Sequence, residues 1–104
     1  MKKIVDINTG WHEKIIINQD DINEILQIEI QKDRKKFDVT GYKAKAYFRL
    51  PNGEVVKQDC LIENKLVNIE LKRILIDKGK VEMEIIFTKD DKRTTTFSID
   101  ITVK

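Results

Sequence analysis

The side chains that could carry out catalysis are few in this sequence and lie far apart along it. The chain has one histidine, His12, and one cysteine, Cys60. A hydrolase or transferase needs a nucleophile beside a base, or paired carboxylates in a cleft. Cys60 shares its alternating phase with Val56 and Ile62, which predicts a buried, unreactive thiol. His12 is predicted to be a surface or edge residue, so we expect that the protein is not an enzyme.

Metal-binding patterns are incomplete as well. A zinc site needs about four Cys or His ligands, and the chain offers two. The stretch Asp6-Ile7-Asn8-Thr9-Gly10 resembles the start of a calcium loop, but Ile17 occupies the position where such a loop needs a bidentate Glu. The amide and acidic side chains of residues 18–23 are predicted to cap their own turn. The sequence therefore predicts no metal and no cofactor.

The charge pattern argues against nucleic-acid and membrane partners. Charged residues make up 37% of the 104 residues, yet the net charge is only +2 because both signs are interspersed. The basic run at residues 32–36 contains Asp33 and no aromatic residue, which indicates a solvated hairpin tip. The start of the chain has no long apolar run typical of a signal peptide. With a single cysteine, we expect a soluble protein made in a cytoplasm.

A strictly alternating segment is the strongest structural signal in the sequence. Between Tyr42 and Leu50, apolar and polar residues take turns, as in a β-strand with one face in a core and one in water. Pro51-Asn52-Gly53 supplies a turn, and a second strand begins at Glu54, which predicts a hairpin.

The whole pattern predicts an all-β fold. About seven strands with turn signals between them indicate an antiparallel β-sandwich, with a small barrel as the structural alternative. One short helical turn is predicted near residues 72–78, ended by Gly79. Residues 1–14 are predicted to be an N-terminal arm or edge strand, and residues 15–104 the sandwich domain. The predicted central core residues are Phe48, Phe87 and Phe97.

Several blocks of the sequence are similar, in order and spacing, to the N-terminal domain of phage baseplate upper proteins. They are Phe37-Asp38-Val39-Thr40-Gly41, Phe48-Arg49-Leu50, Pro51-Asn52-Gly53-Glu54-Val55-Val56, Asp77-Lys78-Gly79-Lys80-Val81 and Lys92-Arg93-Thr94-Thr95-Thr96-Phe97-Ser98. The similarity covers about residues 15–103. The resemblance implies an immunoglobulin-like sandwich without enzymatic activity. It also implies a place in the virion tail baseplate, contacts with the tail-tip hub and other tail proteins, and a homo-oligomer in the assembled virion.

Two apolar residues interrupt outward phases that are otherwise polar. They are Tyr47 and Ile86. Their strands are neighbours in the predicted sandwich, so both side chains should lie on one outer face. We predict that they bind another baseplate subunit; cover by residues 1–14 is the alternative.

A carbohydrate-binding or adhesin-type sandwich is the alternative function. Sugar-binding proteins usually present exposed aromatic side chains for stacking. The candidates in this chain are Trp11, Tyr42 and Tyr47.

Overall fold

The fold consists of β-strands and connecting turns. The structure, a computed structural model, describes all 104 residues. Segments rich in β-branched and alternating apolar residues form the strands. These are β1 (Lys2–Asp6), β2 (Ile15–Ile17), β3 (Ile25–Lys32), β4 (Lys35–Lys36), β5 (Lys43–Arg49), β6 (Val55–Glu63), β7 (Leu66–Glu70), β8 (Gly79–Lys89), β9 (Lys92–Thr95) and β10 (Ile99–Val103). The chain has no helix long and apolar enough to cross a membrane.

The strands form one continuous, curved sheet in the order β1-β3-β7-β6-β5-β8-β10-β2. Strand β4 pairs with β3, and β9 pairs with β8. Two pairs are parallel, β1 with β3 and β2 with β10, and the others are antiparallel. Because β1 and β2 are consecutive in the chain but terminate opposite ends of the sheet, the segment between them spans the remaining gap. The sheet therefore comes close to a closed barrel.

Strand β6 links the two halves of the sheet. Residues 55–60 pair with β5, whereas residues 61–63 pair with β7. The all-β prediction is confirmed, and the number of strands is ten. The antiparallel immunoglobulin-like sandwich is not confirmed, because the sheet is continuous and two of its pairs are parallel. The arrangement is nearer to the barrel alternative.

The predicted helical turn near residues 72–78 is wrong. Leu71, Ile74 and Leu75 have helical spacing and are all buried. However, the segment forms only a hydrogen-bonded turn, in which Ile74 N–H donates to the Leu71 carbonyl at 3.0 Å, followed by a bend. Nucleating a helix is costly, and a single turn satisfies the same three apolar contacts. Gly79 does not cap a helix, because it is the first residue of β8.

The core lies between the inner faces of the two sheet halves. It contains 25 buried apolar residues, and Phe48 and Phe87 are both fully buried, as predicted. Phe48 lies on β5 and Phe87 on β8, and the pairing of these two strands along seven consecutive residue pairs fixes which side chains face the core.

Phe97 was predicted to be a core residue, and this prediction is wrong. Between the end of β9 at Thr95 and the start of β10 at Ile99, residues 96–98 stand opposite only residues 84–85 of β8. The extra residue is a β-bulge, and a one-residue shift moves later side chains to the other face. Phe97 is consequently 56% exposed.

Thr96 occupies the inward position instead. It is buried, and its hydroxyl oxygen accepts the N–H of Ile85 at 2.9 Å. The Thr96 N–H in turn donates to the Ile85 carbonyl at 3.0 Å. These two hydrogen bonds hold the bulge in register with β8.

Candidate functional site

Tyr47 and Ile86 lie diagonally across the β5–β8 pair, on the outer face of the sheet. Tyr47 stands opposite Glu84, and Ile86 stands opposite Lys45. Both side chains are half-buried. The structure thus places the two predicted residues on one face of neighbouring strands, while their role in binding stays a prediction.

A groove of about 370 Å³ lies over this face. We call it the basic groove; the lining residues that matter below are Lys43, Lys45, Tyr47, Asp59, Ile86 and Arg93. Lys45 Nζ lies 3.8 Å from the Asp59 carboxylate. Lys43 and Arg93 form no ion pair and no side-chain hydrogen bond, so the groove carries two uncompensated positive charges beside its apolar residues.

Lys57 supports the Tyr47 ring from one side. Its Nζ lies 5.6 Å from the ring centroid, within the range of a cation–π contact. The contact is at the surface and contributes about 0.5–1 kcal/mol at most. It restricts the orientation of the ring, and Lys57 itself does not line the groove.

The N-terminal segment does not cover this surface. Strand β1 pairs with β3 in the other half of the sheet, and none of residues 1–14 lines the basic groove. The alternative explanation for Tyr47 and Ile86, cover by the N-terminal arm, is therefore wrong. Sequence analysis did not include Arg93 in this surface, because the pairing of β9 with β8 has to be known before Arg93 can be placed opposite Thr88.

His12 has a structural role. Its Nδ1 donates to the carbonyl oxygen of Glu13 at 2.8 Å, and its Nε2 accepts the N–H of Asp100 at 3.4 Å. The two bonds require the proton on Nδ1 and occupy both ring nitrogens. His12 thereby ties the segment after β1 to β10.

Cys60 is half-buried in β6. Burial raises the pKa of its thiol to about 11, so the thiol stays protonated at neutral pH. Because the thiolate is the nucleophilic form, this environment makes Cys60 unreactive.

The stretch that begins at Asp6, whose likeness to a calcium loop ends at Ile17, organises the backbone. Both carboxylate oxygens of Asp6 accept backbone N–H groups, from Asn8 (2.9 Å), Thr9 (3.0 Å) and Arg34 (2.8 Å). Asp6 therefore organises two neighbouring loops. The N–H of Arg34 and then that of Thr9 are the main reasons that the pKa of Asp6 is lowered to about 2. The turn at residues 18–21 is closed by its own bonds, with Asn18 N–H donating to Asp21 at 3.1 Å.

A second groove lies beside the loops that Asp6 organises, and sequence analysis missed it. Its volume is about 510 Å³, and Trp11 on its wall is 56% exposed. We call it the Trp11 groove; it is lined by Ile4, Asp6, Thr9, Trp11, Gln31 and Arg34. Trp11 is the only tryptophan in the chain, and this was the one signal in the sequence. Nothing in the sequence indicated that the hairpin at residues 33–34 would lie next to it.

The three aromatic candidates for sugar stacking therefore differ in availability. Tyr42 packs against Phe37 and Phe87, with ring centroids 5.8 Å and 6.3 Å away. Tyr47 is half-buried on the flat outer face, and only Trp11 is largely exposed.

Comparison with solved structures shows a likeness in fold. The fold is similar to that of the N-terminal domain of phage TP901-1 ORF48, with a TM-score of 0.76 over 99% of this chain and 96% of that domain. The sequences are 13% identical, so the likeness shows a shared fold. No model of a known protein family matches the chain, and no curated protein matches its sequence.

Proposed function

We propose that the chain is a structural, non-enzymatic domain of a phage or prophage tail baseplate. The observation that carries the proposal is the likeness in fold to a phage protein's N-terminal domain over almost the whole length of both chains. The sequence blocks that resemble baseplate upper proteins are a second source of support, because that resemblance lies in the sequence and does not depend on the fold. The occupied ring nitrogens of His12 and the protonated thiol of Cys60 support a role without catalysis.

The basic groove is the proposed contact with the tail-tip hub or a neighbouring subunit. Tyr47 and Ile86 provide an apolar contact on an otherwise charged face, and the half of each side chain that remains exposed lines the groove. Tyr and Arg are both enriched among residues that dominate binding energy. Because Lys43 and Arg93 have no anionic partner within the chain, the complementary surface of the other subunit carries carboxylates. In the assembled tail, several copies of the domain would be held in this way around a ring.

A double substitution tests this contact. Tyr47→Ser with Ile86→Thr should weaken assembly with the tail-tip hub protein about a hundredfold or more, as expected when two central contact residues are lost without a new charge being added. The melting temperature should change little, because both side chains are on the outer face. Assembly is measured by co-sedimentation or calorimetry, and folding by thermal unfolding.

Leu61→Ser with Ile25→Thr is the matched control. Leu61 is 63% and Ile25 is 41% exposed, and both lie near β7 in the other half of the sheet. This variant should assemble normally. If the Tyr47 and Ile86 variant assembles as well as the control, the docking surface is elsewhere.

A further inference from the structure

The rim of the Trp11 groove is held in one conformation by side-chain hydrogen bonds. Asp6 receives N–H groups from the loop after β1 and from Arg34 at the tip of the β3–β4 hairpin. The same two loops are joined again where Asn8 Nδ2 donates to the Asp33 carboxylate at 2.9 Å. Asp33 and Arg34 both have positive φ, 53° and 66°, which is costly for residues other than glycine. The rim is therefore pre-organised, as binding sites require.

Gly10 fixes the other side of the same loop. Its φ is +76°, and a Cβ atom there would lie 3.2 Å from the Phe97 ring. The absence of a side chain lets the loop lie directly against this ring. Residue 10 thus faces Phe97, and the next residue, Trp11, lines the groove. The Trp11 indole is 56% exposed and therefore available to a ligand.

The lining offers both hydrogen-bond donors and acceptors. The Arg34 guanidinium and the Trp11 indole N–H have no partner within the chain, which leaves several donors free. Asp6 is itself buried, and its carboxylate is used to accept backbone N–H groups. The acceptors available to a ligand are therefore the exposed Thr9 hydroxyl and the side-chain carbonyl oxygen of Gln31. One positive and one negative side chain line the groove, and their charges cancel. An anion would be attracted by Arg34 and repelled by Asp6.

The combination of an aromatic platform with paired donors and acceptors matches the chemistry of sugars. A pyranose ring has an apolar C–H face, which can stack on an indole, and hydroxyl groups that both donate and accept. A purely apolar ligand would cover these donors and acceptors without forming hydrogen bonds to them, which is costly. The volume of about 510 Å³ lies within the range of about 300–1,000 Å³ for small-molecule sites. We propose that the Trp11 groove binds a neutral saccharide, with one ring on Trp11 and its hydroxyls on Arg34, Gln31 and Thr9.

A protein partner is the main competing occupant, because Trp and Arg are also common in protein contacts. The groove is concave and its lining mixes donors with an acceptor, which favours a small polyhydroxylated ligand over a flat protein surface. This saccharide site is separate from the basic groove, and the two proposals can fail independently.

Intrinsic fluorescence tests the proposal directly, because Trp11 is the only tryptophan. The full chain is titrated with maltotriose, cellotriose, chitotriose and galactotriose as neutral probes, and with trigalacturonate as an anionic probe. At least one neutral probe should produce a saturable change in Trp11 emission at micromolar to millimolar concentration. The accompanying amide NMR shifts should be concentrated in residues 4–11 and 31–34.

Arg34→Asn removes the guanidinium. Asparagine adopts positive φ more readily than most residues, so the backbone of the turn should be preserved. It should weaken binding of the neutral probe about tenfold or more, since hydrogen bonds made by a charged group are lost. Arg73→Asn, a change in the exposed turn after β7, is the control and should bind like the parent. An unchanged NMR spectrum outside residues 33–36 shows that the Arg34 variant is folded.

Three results would overturn the proposal. The first is the absence of a saturable change with all four neutral probes. The second is binding of the anionic probe alone, and the third is binding that Arg34→Asn leaves unaffected. If no sugar binds and Trp11 emission changes only when the tail-tip hub protein is added, the groove is a protein contact and the saccharide proposal is wrong.

Discussion

The two grooves are built in different ways, and the difference determines how each can be disturbed. The basic groove lies on β5 and β8, whose positions are fixed by backbone pairing along seven residue pairs. The rim of the Trp11 groove is formed by two loops, which side-chain hydrogen bonds hold together, chiefly those to the Asp6 carboxylate. A surface on paired strands keeps its shape when any one of its outward-facing side chains is lost. A surface on loops can lose its shape when a single bond donor or acceptor changes.

Removing a core ring should affect both grooves at once, and this is the largest effect that we predict. Phe87 is fully buried on the inner face of β8 and contacts the Tyr42 ring edge-on. Phe87→Ala should lower the free energy of unfolding by about 3–5 kcal/mol. This is a large part of a total of about 5–15 kcal/mol. Denaturant unfolding measures it, and a loss below about 1 kcal/mol would show that the core position is wrong.

The core around Phe87 was predictable because its signal is local. Alternation along β5 and β8 assigns each side chain to one face, and it placed Phe48, Phe87, Tyr47 and Ile86 correctly. No comparable signal exists for the parallel pairing of β1 with β3, because its partners are separated by β2 and a loop. The apolar triplet at residues 71, 74 and 75 fits a helix and a turn equally well, so its spacing alone could not decide between them.

The Trp11 groove was less predictable, for the same reason. Its donors and acceptors come from residues 4–11 and 31–34, which meet only once β1 has paired with β3. In the sequence, Asp6 opens a stretch that lacks the Glu of a calcium loop, and in the structure its carboxylate binds backbone N–H groups. Side-chain type predicted the presence of a loop there, but it could not predict the atoms that the loop would bind.

Acid should separate the two grooves. The folded-state pKa of Asp6, about 2, lies below its ordinary value of 3.8. Its contribution to stability is therefore complete above about pH 4 and is lost as the pH falls from there towards 2. We expect Trp11 emission and the amide signals of the rim to change in this interval before the signals of β5 and β8 do. Fluorescence and NMR measured along a pH titration test the order of these events.

Asp6→Asn is the control for the acid experiment. The asparagine side chain has only one accepting oxygen, so the rim should be loosened at neutral pH. Because the amide does not titrate, the rim of the variant should also respond less to acid. Glu29 and Asp38 also have lowered pKa values, through hydrogen bonds from Gln31 and Thr40 respectively. Glu29 and Asp38 contribute equally to the acid response of the parent protein and of the Asp6→Asn variant. The difference between the two pH curves therefore reports the contribution of Asp6 alone. Identical pH curves for the two proteins would contradict the role assigned to Asp6.

The smallest effect that we predict concerns the bulge that places Phe97 against Gly10. Because Phe97 is 56% exposed, Phe97→Ala should cost only about 1 kcal/mol, a fraction of the value for complete burial of a large apolar side chain. Thr96→Val is the comparison: it leaves the N–H of Ile85 without its acceptor in the core, which costs about 1–3 kcal/mol. The change at Thr96 should therefore destabilise the fold more than the change at Phe97, in thermal and denaturant unfolding. If the alternation ran unbroken through Phe97 and Ile99, Phe97 would be buried and its loss would destabilise the fold more than the change at Thr96. That order of effects would show that the bulge is absent.

Phe97→Ala should in addition alter the amide signals of residues 9–12, because the loop that carries Trp11 loses its support on that side.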